Sequence, residues 1–137
     1  MEIQYRIGND LPAKQVSELY RASTLSQRRP TDSLESMAAM LQHSNLVVTA
    51  WDGELLVGIS RSFTDFVYIT YLSDLAVHRE YQRKGIGREL IVRTQQQAPA
   101  ANLFLAAAPA AVEYYPRLGF TQHQSAWWLN PGQALKG

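Results

Sequence analysis

Gln82-Arg83-Lys84-Gly85-Ile86-Gly87 is the stretch of this sequence whose residue types and spacing suit anion binding. Two glycines keep Cβ atoms out of a turn, so backbone N–H groups can close on a phosphate. Arg83, Lys84 and Arg88 add formal charge. Two rival glycine signatures fail on spacing. A dinucleotide fingerprint needs a third glycine where Leu90 stands, and a P-loop needs Lys followed by Ser or Thr where Arg88-Glu89 stand. An ordinary glycine turn is the alternative reading of the same residues.

The elements on either side decide how such a turn is used. The apolar run 67–78 before it predicts a strand buried on both faces. Ile86, Leu90, Ile91 and Thr94 trace one face of a helix over 86–97. A helix starting at the glycines presents unpaired N–H groups and a positive dipole end.

Upstream, Ile3, Tyr5 and Ile7 alternate with polar residues and predict a short strand. Asp10 is the expected cap of a first helix, with Pro12 in its first turn. Asp32-Ser33-Leu34-Glu35 reads as a capping box, and Leu34, Met37, Ala38 and Leu41 carry a second helix to about Gln42. Residues 46–51 and 55–63 read as strands joined by a hairpin at Asp52-Gly53. Gly58 inside the second marks a bulge or a close backbone approach. Leu103-Phe104-Leu105 is a further short strand, and Pro109 starts a helix ending near Leu118-Gly119. Residues 120–123 and 125–129 are expected to close the sheet as two strands, with Trp127 and Trp128 on opposite faces. The predicted order is β-α-α-β-β-β-α-β-α-β-β. That is an α/β (α+β) fold with a mixed central sheet of about six or seven strands flanked by about four helices.

The 137 residues are enough for one domain, read here as a single domain over 1–137. A hydrophobic fraction of 46% with 18% charged residues is that of a globular chain. A net charge of +1 gives no reason to expect nucleic acid or an anionic membrane as partner. No apolar run reaches the length of a membrane span, and the first residues lack the features of a signal peptide, so a cytoplasmic location is expected. The absence of cysteine excludes a disulfide framework and a cysteine nucleophile. His43, His78 and His123 are scattered without metal-ligand spacing, so no metal is expected.

A second motif, Tyr115-Pro116-Arg117-Leu118-Gly119-Phe120, lies downstream of the glycine turn. The run 108–115 precedes it, and Asp74-Leu75-Ala76-Val77-His78 precedes the turn. In this order, the three stretches resemble the GNAT superfamily of N-acetyltransferases, well over residues 47–120 and only in topology elsewhere. The resemblance implies acetyl-CoA as cosubstrate. It implies that Gln82, Arg83, Lys84, Gly85, Ile86, Gly87 and Arg88 hold the pyrophosphate. Backbone groups of Leu75, Ala76 and Val77 would pair with the pantetheine arm, the Val77 N–H or a neighbouring one polarising the thioester carbonyl. Tyr115 resembles the family's general acid, with Tyr114 as the alternative pocket residue. The family often has Asn where this chain has Ala108, a hydrogen bond worth about 1 kcal/mol.

An alkylamine acceptor is mostly protonated at neutral pH and needs a base or a water relay. Asp74 could point into the acceptor cleft as that base, or be a buried strand carboxylate bonded to a backbone group. The family's acceptor pocket often involves the first two helices, which makes Arg28 and Arg29 candidates for substrate contact. The function implied is direct acetyl transfer to a primary amine of a small molecule or protein, the alternative being a GNAT-fold module that binds acyl-CoA without chemistry. An unrelated nucleotide-binding domain is disfavoured by the failed phosphate motifs. Trp127-Trp128 makes a homodimer plausible.

Overall fold

The computed structural model describes residues 2–137. The chain divides into two compact units, the first ending at Ala106 and the second running Ala107–Gly137.

The first unit is built on a five-stranded sheet. Strands β1 (Gln4–Ile7), β2 (Leu46–Asp52), β3 (Leu55–Thr64), β4 (Ile69–Val77) and β5 (Asn102–Phe104) lie side by side in chain order. The first four pair antiparallel, and β5 pairs parallel to β4. Helices α1 (Ala13–Ala22) and α2 (Leu34–Gln42) connect β1 to β2, and α3 (Ile86–Gln97) connects β4 to β5.

The sheet is covered on both faces. Val16, Leu19 and Tyr20 of α1 and Met37 and Leu41 of α2 pack with Val47, Trp51, Ile59 and Ala76. On the other face, Ile86 and Leu90 of α3 pack with Val48, Ala50 and Val57. Burial on both faces therefore belongs to β2 and β3, not to β4 as its composition suggests: β4 alternates buried with exposed or half-buried positions. A register shift near Ser73 changes which face is buried. Thr70 and Leu72 pair with Thr64 and Ser62 before it; Asp74 and Ala76 pair with Arg61 and Ile59 after it.

The expected hairpin at Asp52-Gly53 forms. Gly53 has φ +60 at the first position of the two-residue β2–β3 turn. The cap of α2 is shifted one residue from the expected box: Ser33, not Asp32, is the N-cap, its Oγ accepting the Ser36 N–H at 3.1 Å. The cap of α1 differs from expectation: the capping position is Pro12, not Asp10, and no side chain caps it.

The second unit contains one short helix, α4 (Tyr114–Arg117), after a 3-10 turn at Pro109–Ala111. The two expected closing strands do not form; residues 120–137 contain no strand. Trp127 and Trp128 are accordingly not split between a core and a surface face, and both are exposed, at 93% and 75%. Thr121, Gln122, His123, Gln124 and Ser125 are polar without a break, so they offer no alternating apolar face to bury. The sheet has five strands instead of six or seven, although the α/β class and the four helices agree with the sequence reading.

Candidate functional site

β4 is paired to β5 only at Ile69, Thr70 and Tyr71. From Leu72 to Val77, no strand among the described residues lies along its second edge. The His78 N–H donates to Val57 O at 2.8 Å. Antiparallel alternation then turns the backbone of Ala76 toward β3 and that of Leu75 and Val77 toward the open edge. Of the three residues expected to pair with an extended ligand, Leu75 and Val77 thus offer backbone groups there and Ala76 does not.

The chain leaves β4 through a 3-10 turn, Arg79–Tyr81, capped by His78, whose Nδ1 accepts the Glu80 N–H at 3.1 Å. The Tyr81 hydroxyl donates to Asp52 Oδ2 at 2.6 Å, tying the turn to the end of β2. That bond raises the phenol's pKa. Gln82 Nε2 donates to Val77 O at 3.1 Å and folds the loop back on the strand it left.

Gly85 occupies the N-cap of α3 with φ +82, a conformation that L side chains rarely adopt. No protein atom lies within 4 Å of where its Cβ would be. The Glu89 N–H makes the first intrahelical bond, to Gly85 O at 3.0 Å. The amides of Ile86, Gly87 and Arg88 therefore lead the helix without intrahelical acceptors. Arg83, Lys84 and Arg88 are exposed around this end, while the Ile86 side chain is buried and serves as an anchor. The arrangement can hold an anion at the helix start and an extended chain along the β4 edge.

Gly58 fixes the height of this helix over the sheet. A Cβ there would sit 3.0 Å from Leu90 Cδ1, 3.1 Å from Ile86 Cγ2 and 3.3 Å from Ala50 Cβ. Both sequence readings of Gly58 hold, since the β2–β3 register also shifts beside it. Farther along α3, Thr94 Oγ1 meets Ser60 Oγ at 2.8 Å in the interior.

Asp74 lies on the opposite face, 1% exposed. Its Oδ2 accepts from Arg61 Nε at 2.6 Å and from the Tyr20 hydroxyl at 2.6 Å; its Oδ1 accepts from Arg29 Nε at 2.7 Å. Burial alone would raise its pKa, but the hydrogen bond and charge of Arg61, the Tyr20 bond and the charge of Arg29 hold it below the usual carboxylate range. The same burial and the neighbouring carboxylate push the Tyr20 phenol well up. A carboxylate so engaged is a poor proton acceptor. Asp74 therefore has neither the environment of a general base nor the backbone partner of the alternative reading: it is the centre of an ionic cluster joining β3, β4, α1 and the segment after α1. Tyr20 and Arg61 escaped the sequence reading. The available signal was one Asp in an apolar strand and one Arg in the strand beside it, since buried charge requires a partner. Arg29, singled out for substrate contact, is the cluster's outermost member; its side chain is 20% exposed.

In the second unit, Tyr115 lies in α4, its ring edge-to-face with Tyr114 at 5.2 Å and with Phe120 at 5.5 Å. The Phe120 N–H donates to Tyr115 O at 3.1 Å, and Gly119 has φ +99, so the motif's Gly and Phe end the helix and brace the tyrosine. Ala108 caps the preceding 3-10 turn without a side-chain hydrogen bond.

A mixed sheet with a strand edge left unpaired beside a glycine-led helix start defines an α/β domain. The chain belongs to the GNAT acetyltransferase family: a family model described as acetyltransferase (GNAT) domain matches residues 10–127. Among curated proteins, a histone acetyltransferase of Glycine max is 31% identical over 107 residues, covering 68% of this chain and 45% of that protein. The chloroplastic GCN5-related N-acetyltransferase 2 of Arabidopsis thaliana is 31% identical over 116 residues, covering 68% and 44%. The chain spans about half the length of the curated relatives it matches. A GNAT-family acetyltransferase of Streptococcus pneumoniae superposes with a TM-score of 0.77 at 25% identity, over 95% of this chain and 99% of that one. An aminoglycoside N-acetyltransferase solved in complex with CoA shares the fold, with a TM-score of 0.74 at 15% identity over 96% and 95%. No helix among the described residues is long and apolar enough to cross a membrane.

Proposed function

We propose that this protein is an acetyl-CoA-dependent N-acetyltransferase that transfers the acetyl group directly to a primary amine, with residues 1–137 acting as one domain. The observation that carries the reading is the junction of the open β4 edge with the left-handed Gly85 at the start of α3. The amides of Ile86, Gly87 and Arg88, with Arg83 and Lys84 beside them, receive the pyrophosphate. The outward backbone groups of Leu75 and Val77 receive the pantetheine arm, and the Val77 N–H polarises the thioester carbonyl. Gln82 acts by holding the loop onto β4. Tyr115 protonates the leaving thiolate; this role rests on its motif. A phenol of pKa about 10 can donate to a thiolate whose acid lies near 8.5.

Asp74 takes a positioning role, and the amine loses its proton to water. A rise of kcat/KM with pH that follows the acceptor's own pKa supports this; a bell centred on a carboxylate would restore a protein base. The exposed Trp127 and Trp128 suit a homodimer contact, checked by light scattering. The cytoplasm remains our proposed compartment.

Calorimetric titration with acetyl-CoA tests the reading, with Gly85→Glu as control. Micromolar binding lost in the variant supports it, and absence of binding by the native chain overturns it. Tyr115→Phe then separates transfer from mere binding: if acetylation continues unchanged, the acid is wrongly assigned.

A further inference from the structure

The face that carries Asp74 extends beyond the cover of α1 and α2, and there it is aromatic. Phe63 of β3 pairs with Tyr71 of β4, and Tyr71 pairs with Phe104 of β5. Directly paired residues share a face, so the three rings form a row across three strands. Phe63 and Tyr71 are each 37% exposed, and Phe104 is half-buried. The Arg61 guanidinium lies 5.4 Å over the Phe63 ring, which places the row beside the ionic cluster and on its face of the sheet.

That cluster carries excess charge. Arg29, Arg61 and Asp74 sum to +1. Arg61 is spent internally: its side chain is buried, and it also donates to Ser44 Oγ, Met40 O and Ser73 Oγ. Arg29 uses Nε on Asp74, Nη1 on Arg28 O at 2.8 Å and Nη2 on Ser73 O at 2.8 Å. Three of its five donors are committed, which leaves two on a partly exposed guanidinium.

We propose that the acceptor is an aromatic α-amino acid, its ring on the exposed Phe63–Tyr71 pair and its carboxylate on Arg29. Charge complementarity selects the anionic group, because the cluster holds one more positive charge than negative. Ring stacking selects a flat side chain over an aliphatic one. A polyamine or a lysine-rich peptide meets net positive charge here and is disfavoured. The inference rests on the acetyl-transfer reading above. In the reaction, the amine nitrogen forms a C–N bond to the acetyl carbon and the C–S bond breaks. The amine proton leaves to water and the thiolate takes up a proton, giving an N-acetyl amino acid and free CoA.

The test follows CoA release with L-phenylalanine, L-phenylalaninamide, L-leucine, n-hexylamine and a lysine peptide, in the native chain and in Phe63→Leu/Tyr71→Leu. Phenylalanine is expected to exceed leucine and phenylalaninamide in kcat/KM by about tenfold each, judged from one stacked pair and one charged contact. The variant should lose the preference over leucine through KM while binding acetyl-CoA as before. Equal use of leucine, hexylamine or the peptide overturns the proposal, as does an unchanged preference in the variant. If acetyl-CoA does not bind, the transfer reading falls by itself, and titration with N-acetyl-L-phenylalanine decides the rest. Binding lost in the variant keeps the aromatic site; no binding removes it.

Discussion

Gly58→Ala tests whether one missing side chain sets the position of the candidate donor site. The backbone of Gly58 is not left-handed, so the substitution acts through space and not through φ. The new Cβ would lie 3.0 Å from Leu90 Cδ1 and 3.1 Å from Ile86 Cγ2, closer than ordinary contact, and 3.3 Å from Ala50 Cβ on the sheet side. Leu90 and Ile86 are 0% and 3% exposed, so neither side chain has room to swing away. Overpacking of this kind costs roughly 1–3 kcal/mol. Replacing glycine recovers about 0.4–1 kcal/mol from the unfolded chain. The net loss should be roughly 0–2.6 kcal/mol, centred on about 1.3 kcal/mol, or a fall in Tm of up to about 10 °C for a domain of this size. Ile86 opens α3, so lifting the helix also moves the amides of Ile86, Gly87 and Arg88 relative to the β4 edge. Acetyl-CoA affinity should therefore fall although no ligand-contacting residue has changed. Thermal melts and calorimetry on Gly58→Ala, Leu90→Ala and the double variant provide the assay. Leu90→Ala alone should cost about 2–5 kcal/mol, and the double variant less than the sum, because the methyl added at position 58 enters the space vacated. Strict additivity of the two losses, or unchanged acetyl-CoA affinity in Gly58→Ala, would refute the reasoning.

The ionic cluster and the glycine turn yield further predictions. Asp74→Asn leaves Arg61 buried without its counter-charge and should destabilise the fold by about 3–5 kcal/mol, read by denaturant unfolding. The folded pKa of Asp74 is depressed, so its contribution is fully present above the unfolded carboxyl value of about 3.9 and is lost as pH falls through the lower folded value. An acid titration should accordingly show steeper loss of stability below about pH 4 in the native chain than in Asp74→Asn. Tyr20→Phe removes a buried bond to a charged oxygen and should cost about 1.5–3 kcal/mol by the same unfolding assay. Gly85→Ala meets no protein atom within 4 Å, so its cost to stability should be only the left-handed strain of about 1–2 kcal/mol. Its acetyl-CoA affinity should fall further than that strain explains, since the methyl enters space proposed for the pyrophosphate.

The glycine turn was legible because its signals are local. A strand, two glycines, three cations and an amphipathic helix occupy contiguous sequence, and the structure builds them into one continuous path from β4 into α3. The Asp52-Gly53 hairpin and the helix-ending Gly119 were legible for the same reason. The closing strands were overread: residues 120–129 carry aromatic and apolar residues, yet no strand among the described residues pairs with them. Composition alone does not supply a hydrogen-bonding partner, and without one an extended run is not a strand.

The sequence by itself determined the family, the order of the main elements and the residues around the candidate anion site, because each of these rests on short-range pattern. Only the tertiary structure decided what Asp74 does. Its partners Tyr20, Arg29 and Arg61 lie 54, 45 and 13 residues away in the chain, and no periodicity links them. Their meeting depends on the β3–β4 register, on the shift beside Ser73 and on the packing of α1 over the sheet. The same register assembles Phe63, Tyr71 and Phe104 into one row. A one-residue slip in either pairing would send those side chains to the other face. Side-chain chemistry is written locally, but which side chains meet is fixed by long-range strand pairing.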